Sequence, residues 1–383
     1  MAARQAFSGR AAVAGIGMTK LSRRSGRSVL DQAVEAAEAA LADARLAPAD
    51  IDGVLLYHLG DSVPVNDVAR ALGVPPAVWT NEIYGGGTQS ASILGDAAML
   101  VDSGTARNVL VLRALNGRSG QRMGQAGLRL GEGAEAQFLH PYGMAGPIAL
   151  FALSTSRWMH LTAARPEDLE GVVLASRRLA VNNPRALRRE GMTSEDYLGE
   201  PWIAEPLRRA DCCQETDGAA ALVVSAAGAA RPGSPVVHAV VRGGGPGATG
   251  MDKAPDPSWI FTHYLADRLW ETAGLRPADV DVSLLYDAYS PIVLQQLEDL
   301  GFCRPGEAGE LVRSGGTDPK GPVPVNPHGG LLSEGYVHGL NNVLEAVRQL
   351  RGEAQANQVV DPEFALVTGF GGSYGSAAVL RRT

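Results

Sequence analysis

The chain has 383 residues, of which 45% are hydrophobic, 20% charged and 5% aromatic; that length and apolar content can bury a large core or two ordinary domains and exclude disorder as the main state. Its 34 basic and 41 acidic residues leave a net charge of −7 and no basic field, which argues against nucleic acid as a partner. No apolar run nears the roughly 20 residues that cross a bilayer, and residues 1–10 hold no apolar export segment, so membrane insertion is not expected. The three cysteines, two of them adjacent (Cys212 and Cys213), offer neither a disulfide framework nor a metal-ligand spacing, and a reduced cytoplasm is the expected setting.

Short apolar runs at 12–16 and 54–57 predict buried strands, and residues 29–46 between them have helical apolar spacing behind Ser28, a good N-cap. The chain therefore opens as β–α–β. A helix over 89–103 and a strand at 109–112 come next, then helices over 147–160 and 166–181. Strands are predicted at 220–224, 236–241 and 282–286, with a helix over 259–274 before the last of these. Helices over 292–300 and 335–351 precede two final strands at 365–368 and 377–380. The 47 glycines and 23 prolines fall between these runs, as in an α/β fold with frequent turns.

One segment occurs twice. Residues 46–57 recur 229 positions later as residues 275–286, with eight of twelve positions identical, including Pro48-Ala49-Asp50 against Pro277-Ala278-Asp279 and Tyr57 against Tyr286. Each copy follows an amphipathic helix and ends a buried strand, which points to a duplicated βαβ-containing unit. The expected division is an N-terminal half made of residues 1–115 and 211–230, an inserted, mostly helical segment at 116–210, and a C-terminal half at 231–383.

Four further stretches span nearly the whole chain in a fixed order. They are residues 81–104, with Gly85-Gly86-Gly87 before a helix; Asn182-Asn183-Pro184; Tyr286-Asp287-Ala288-Tyr289; and residues 326–339, which run from Asn326 through Gly329-Gly330 to Gly335-Tyr336-Val337-His338-Gly339. In order and spacing they resemble the thiolase superfamily, in its sterol-carrier-protein-X and lipid-transfer-protein branch. The resemblance implies a thiolase fold: duplicated βαβ halves in a five-layered α-β-α-β-α body with an inserted helical loop domain, assembled as a homodimer.

The departures from that pattern bear on the chemistry. A thiolase accepts its acyl chain on a cysteine thiolate at a helix N-terminus. Residues 84–90 hold no cysteine, the corresponding position falls near Gly87, and the second thiolase cysteine is replaced by Gly369. The histidine of the Gly-His-Pro box becomes Tyr336, and the Asn or His of the preceding box becomes Tyr286. Two phenols in place of the nucleophiles resemble the lipid-transfer-protein-like aldolases of bacterial steroid degradation. That resemblance implies retro-aldol cleavage of a steroid β-hydroxyacyl-CoA, a 17-hydroxy-20-carboxyl-CoA steroid giving a 17-ketosteroid and propionyl-CoA. It further implies no cofactor beyond the coenzyme A of the substrate, and a small OB-fold/zinc-ribbon partner in a heterotetramer. Two alternatives stand beside it: a non-catalytic lipid or acyl-CoA carrier, and a thiolase-like condensing enzyme with a covalent intermediate.

A retro-aldol reaction needs a base for the β-hydroxyl, stabilisation of the thioester enolate and an acid for its carbon. Tyr286 and Tyr336 are the expected acid/base pair. A phenol with a pKa near 10 needs support to ionise, and His338, Asn341 and Asn342 are placed to give it. Gly87 and Gly371 are candidates for enolate-binding backbone N–H groups, and Asn326 and His328 for holding the site geometry. Asp287 alternates to the opposite face of its strand from Tyr286, which assigns it a structural role. Tyr289 either touches substrate or packs in the core. In the run at 177–189, Arg177 and Arg185 either hold the phosphates of coenzyme A or belong to a solvated face.

Overall fold

The computed structural model describes residues 9–76, 78–120, 122–123, 134–144, 146–246, 251–370 and 372–383. The strands are β1 (Ala11–Met18), β2 (Gly53–His58), β3 (Trp79–Tyr84), β4 (Asn108–Asn116), β5 (Trp202–Ala204), β6 (Leu207–Arg208), β7 (Asp217–Ala226), β8 (Val236–Gly244), β9 (Val282–Leu284), β10 (Phe364–Phe370) and β11 (Tyr374–Arg381). The helices of the first half of the chain are α1 (Val29–Ala44), α2 (Val65–Leu72), α3 (Ser92–Asp102), α4 (Ala134–Leu139), α5 (Pro147–Thr162), α6 (Pro166–Ala180) and α7 (Ser194–Gly199). Those of the second are α8 (Phe261–Ala273), α9 (Ser290–Asp299), α10 (Ala308–Arg313), α11 (Gly330–Ser333) and α12 (Leu340–Arg351).

Nine strands form one sheet in the order β3-β2-β4-β7-β1-β8-β11-β10-β9. Outward from the centre it is symmetric: β1 answers β8, β7 answers β11, β4 answers β10 and β2 answers β9. β2 runs parallel to β3 and β4, and β9 runs parallel to β10. At the centre, β1 and β8 share the antiparallel pair Ala12–Val236.

Alternation along the strands sorts side chains into layers. On β4, Val109 and Val111 join the core around α3 and α12, whereas Leu110 and Leu112 join the outer core under α1 and α2. The core around α3 and α12 takes strand residues from both halves, including Leu222 and Val367. A third core packs α8 and α9 on the far face of the second half. The layers are therefore α1/α2, first-half strands, α3/α12, second-half strands and α8/α9. The helix α6 of the inserted segment packs against α9, α10 and α11 of the second half.

The two repeat copies fold alike. Pro48–Asp50 and Pro277–Asp279 are each a single 3₁₀ turn, closed by Asp50 Oδ2 accepting from Ala47 N at 2.8 Å and by Asp279 Oδ2 accepting from Arg276 N at 2.8 Å. Among the elements not expected from the sequence, α2 does carry apolar residues at helical spacing (Val65, Val68, Ala69 and Leu72), whereas the edge strand β3 has side chains exposed or half-buried on both faces and so lacks apolar alternation. The helix expected over 335–351 begins only at Leu340, because Gly335 (φ 143°), His338 (φ 47°) and Gly339 (φ 83°) hold left-handed backbone.

Candidate active site

Tyr286 follows β9 and Tyr336 lies in the left-handed segment before α12; both phenols are buried, and their hydroxyl oxygens meet at 2.6 Å. The Tyr286 backbone is pinned on both sides. Its N–H donates to Thr368 Oγ1 at 2.8 Å, its carbonyl accepts from Gln296 Nε2 at 2.8 Å, and the Thr368 hydroxyl donates to Gln296 Oε1 at 2.6 Å. Tyr336 N–H donates to Thr216 Oγ1 at 3.0 Å. Burial raises the pKa of both phenols, reinforced at Tyr286 by Tyr336 and at Tyr336 by Cys213. Both hydroxyls are therefore protonated at neutral pH.

Gly87 and Gly369, the positions at which the resemblance expects cysteines, are packed too closely to admit a side chain. A Cβ at Gly87 would stand 2.1 Å from Tyr286 Oη, so the phenol fills the volume that a side chain at 87 would need. A Cβ at Gly369 would stand 2.6 Å from the Gly87 carbonyl oxygen.

His338 lies behind Tyr336, with ring centroids 4.7 Å apart, and is fully buried. Its Nδ1 accepts from Arg113 Nε at 3.2 Å and Nη2 at 2.8 Å, and Arg113 Nη2 is 2.6 Å from Asp61 Oδ2. Burial, and then the Arg113 charge, push the His338 pKa down to about 3, so the imidazole is neutral. Although burial alone would raise it, the Asp61 carboxyl is held below the usual range by Arg113. Asp61 and Arg113 drew no notice in the sequence, yet an arginine inside the apolar run of β4 was a visible anomaly.

Other candidates take structural places. Asn341 Nδ2 donates to Glu334 Oε2 and the Gly335 carbonyl, and Asn342 Oδ1 faces His328 Nε2 at 3.2 Å, so neither asparagine supports the Tyr336 hydroxyl. Asn326 (φ 45°) donates through Nδ2 to the Leu285 carbonyl at 2.8 Å and so ties its loop to the residue before Tyr286. Asp287 accepts from Leu331 N at 2.8 Å and Leu332 N at 3.2 Å, which caps α11, and burial raises its pKa to about 6. Arg185 departs from its expected place: Nε reaches Glu334 at 3.1 Å and Nη2 reaches Glu345 at 2.8 Å, and the side chain is absent from the cavity wall. Gly371 lies outside the described residues.

Tyr286, Tyr336, Gly87 and Tyr289 line a cavity of ≈1860 Å³, larger than the roughly 300–1,000 Å³ of most single-ligand sites. Tyr289 packs its ring on Phe151 with centroids 4.6 Å apart. Apolar wall comes from α5 (Pro147, Ile148, Leu150, Phe151), Met251 and Phe370, whereas Arg23, Arg177, Arg188 and Arg209 line another part of the wall. Arg177 is buried, and its Nη1 donates to the Leu332 carbonyl at 3.1 Å and Ser333 Oγ at 2.8 Å. Among the described residues neither Arg177 Nη2 nor Arg188 Nε has a hydrogen-bond partner. Burial and the neighbouring Arg188 bring the Arg177 pKa down to about 9. An under-partnered cation in a cavity wall is a place for an anion. Cys212 and Cys213 also line the cavity, and burial lifts both thiols, to about 12 for Cys212.

Residues 251–380 match the thiolase C-terminal domain-like family model. The chain is 42% identical to the 17-hydroxy-3-oxo-4-pregnene-20-carboxyl-CoA lyase of Mycobacterium tuberculosis, over 94% of this chain and 96% of the relative. It is 39% identical to the steroid side-chain-cleaving aldolase of Thermomonospora curvata, over 94% and 95%. The solved Ltp2-ChsH2(DUF35) aldolase superposes with a TM-score of 0.91 at 36% identity, covering 98% of this chain and 99% of that one. The chain belongs to the thiolase superfamily, in its branch of steroid side-chain-cleaving aldolases. It is a carbon–carbon lyase.

Proposed function

We propose that the chain cleaves a 17-hydroxy-20-carboxyl-CoA steroid to a 17-ketosteroid and propionyl-CoA, using Tyr286 and Tyr336 as a proton relay. The 2.6 Å contact between two protonated phenols in the cavity wall carries this reading. Burial works against a free phenolate, so the proton moves in a closed chain. The substrate hydroxyl gives its proton to one phenol oxygen, that phenol passes its own to the other, and the second phenol protonates the enolate carbon. As the hydroxyl becomes the ketone, the C17–C20 bond pair moves onto the thioester enolate and ends as the new C–H bond. No acyl group is attached to the protein at any step. The backbone at Gly87 faces the enolate side, Asn326 keeps Tyr286 in place, Tyr289 forms part of the substrate wall, and Arg177 with Arg188 takes the phosphates of the substrate's coenzyme A. The mechanism draws on no metal and no separate cofactor.

The assembly we propose is a homodimer joined through the edge of β3, where Trp79 and Tyr84 are exposed, bearing a small OB-fold/zinc-ribbon partner on each copy in a heterotetramer. The two-component name of the superposable aldolase supports a partner of this kind. Among the described residues no helix is long and apolar enough to cross a membrane, and the free state of Cys212, Cys213 and Cys303 favours a cytoplasmic setting.

The test is turnover of the 17-hydroxy-20-carboxyl-CoA steroid by the chain purified with its partner, in D₂O. The expected products are the 17-ketosteroid and propionyl-CoA carrying one deuterium at C2. An acylated residue found by mass spectrometry would instead support the condensing enzyme, and binding without turnover the carrier.

A further inference from the structure

The centre of the molecule holds a charged pair that the relay itself does not use. Arg113, from β4, has no exposed surface, and four of the five N–H groups of its guanidinium are engaged: Nε and Nη2 to His338 Nδ1, Nη2 also to Asp61, and Nη1 to the Ala114 carbonyl at 2.8 Å. Charge at such depth survives only where its position is set by partners. Arg113 has donors alone, so His338 Nδ1 must be the acceptor and the ring proton must be on Nε2. That Nε2 is buried and has no partner among the described residues.

The same histidine is held by its backbone. Its left-handed φ of 47° is a costly conformation for a side chain of this size, and its carbonyl accepts from the Tyr57 hydroxyl at 2.9 Å. The Arg113 guanidinium stacks over the Tyr57 ring at 5.6 Å. The groups facing His338 are therefore Arg113 from β4, Asp61 from the loop after β2, Tyr57 from β2 and Tyr336 from its own segment. Tyr336, which lines the cavity, rests its ring edgewise on this fixed imidazole.

We propose that Asp61 and Arg113 are positioning residues that lock His338 as the neutral Nε2–H tautomer, and that this locked imidazole is the support that sets the Tyr336 hydroxyl against Tyr286. The proposal rests on the relay described above and goes one layer deeper. A phenol displaced by a fraction of an ångström loses the short contact on which proton passage depends.

The experiment uses the chain with its partner, isotopically labelled with ¹⁵N-histidine, as wild type, Arg113→Met and Asp61→Asn. In the wild type the His338 resonances should report a proton on Nε2 and none on Nδ1 across the neutral range. Loss of the Arg113 charge should let His338 gain a proton at higher pH, so that the acid limb of kcat in Arg113→Met moves upward by at least about one pH unit. kcat should fall roughly 10- to 100-fold in both variants while KM stays within about twofold, the pattern of a misplaced reacting group with substrate binding intact. Asp61→Asn keeps the shape of the carboxylate and serves if Arg113→Met does not fold. A proton on Nδ1 in the wild type, or variants that keep both kcat and the acid limb, would overturn the proposal. The tautomer is read without turnover, so failure of the lock and failure of the tyrosine relay give different results.

Discussion

Tyr57 and Tyr286 end the two copies of the repeat, after the same Pro-Ala-Asp turn, and both send their hydroxyls to the segment 336–339. They differ in what they meet there. Tyr57 donates to a backbone carbonyl, sealed beneath Arg113; Tyr286 meets another phenol in the cavity wall. The repeat thus supplies two equivalent reaches, one sealed in the interior as a strut and the other opening on the cavity, and the difference lies in access to the cavity rather than in the residue.

The comparison breaks most sharply on the cavity side. Tyr286→Phe and Tyr336→Phe should each lower turnover by roughly two to four orders of magnitude with little change in melting temperature, which steady-state kinetics and thermal denaturation would check. Because burial raises both phenols above their ordinary range near 10, the wild type should show no alkaline fall in kcat below about pH 9. Gly87→Ala should cost about 100-fold or more in kcat, since its Cβ and the Tyr286 hydroxyl compete for one volume. Arg177→Met should raise KM about tenfold for the coenzyme A thioester while kcat holds, and the effect should shrink with a substrate lacking phosphates.

The strut should behave differently. Tyr57→Phe leaves the buried His338 carbonyl without that donor and should cost about 1–2 kcal/mol of stability by chemical denaturation, with kcat reduced only a few-fold. Cys303→Ser, at a residue outside the cavity wall, should leave turnover within about twofold. A Tyr57→Phe enzyme as impaired as Tyr286→Phe would erase the distinction between the two copies.

The sequence carried the regular parts of this picture. Apolar periodicity located most of the buried strands and helices, the repeat located Tyr57 and Tyr286, and the family resemblance located Tyr336. What it could not carry was chemistry set by distance in space. The pairing of Tyr286 with Tyr336 is expected from their places in the family boxes, but not the direct 2.6 Å contact of their hydroxyls, and nothing in the chain announces that Arg185 spends its charge on Glu334 and Glu345. β3 escaped notice because an exposed edge has no apolar face to alternate, and the start of α12 was placed too early because left-handed His338 breaks the helix despite being neither Gly nor Asn. The buried pair Asp61–Arg113 was the largest omission; its one sequence signal, a cation amid apolar β4, requires knowing that both faces of that strand are covered.

The seam between the halves has a mechanical consequence. β1 and β8 share the pair Ala12–Val236, while Tyr286 and Tyr336 both belong to the second half and Gly87 to the first. The segment that carries Tyr336 is nevertheless tied to the first half, through the Tyr57 hydroxyl on the His338 carbonyl, Arg113 on the His338 ring and Thr216 on the Tyr336 N–H, so the spacing of the two phenols is set by both halves together.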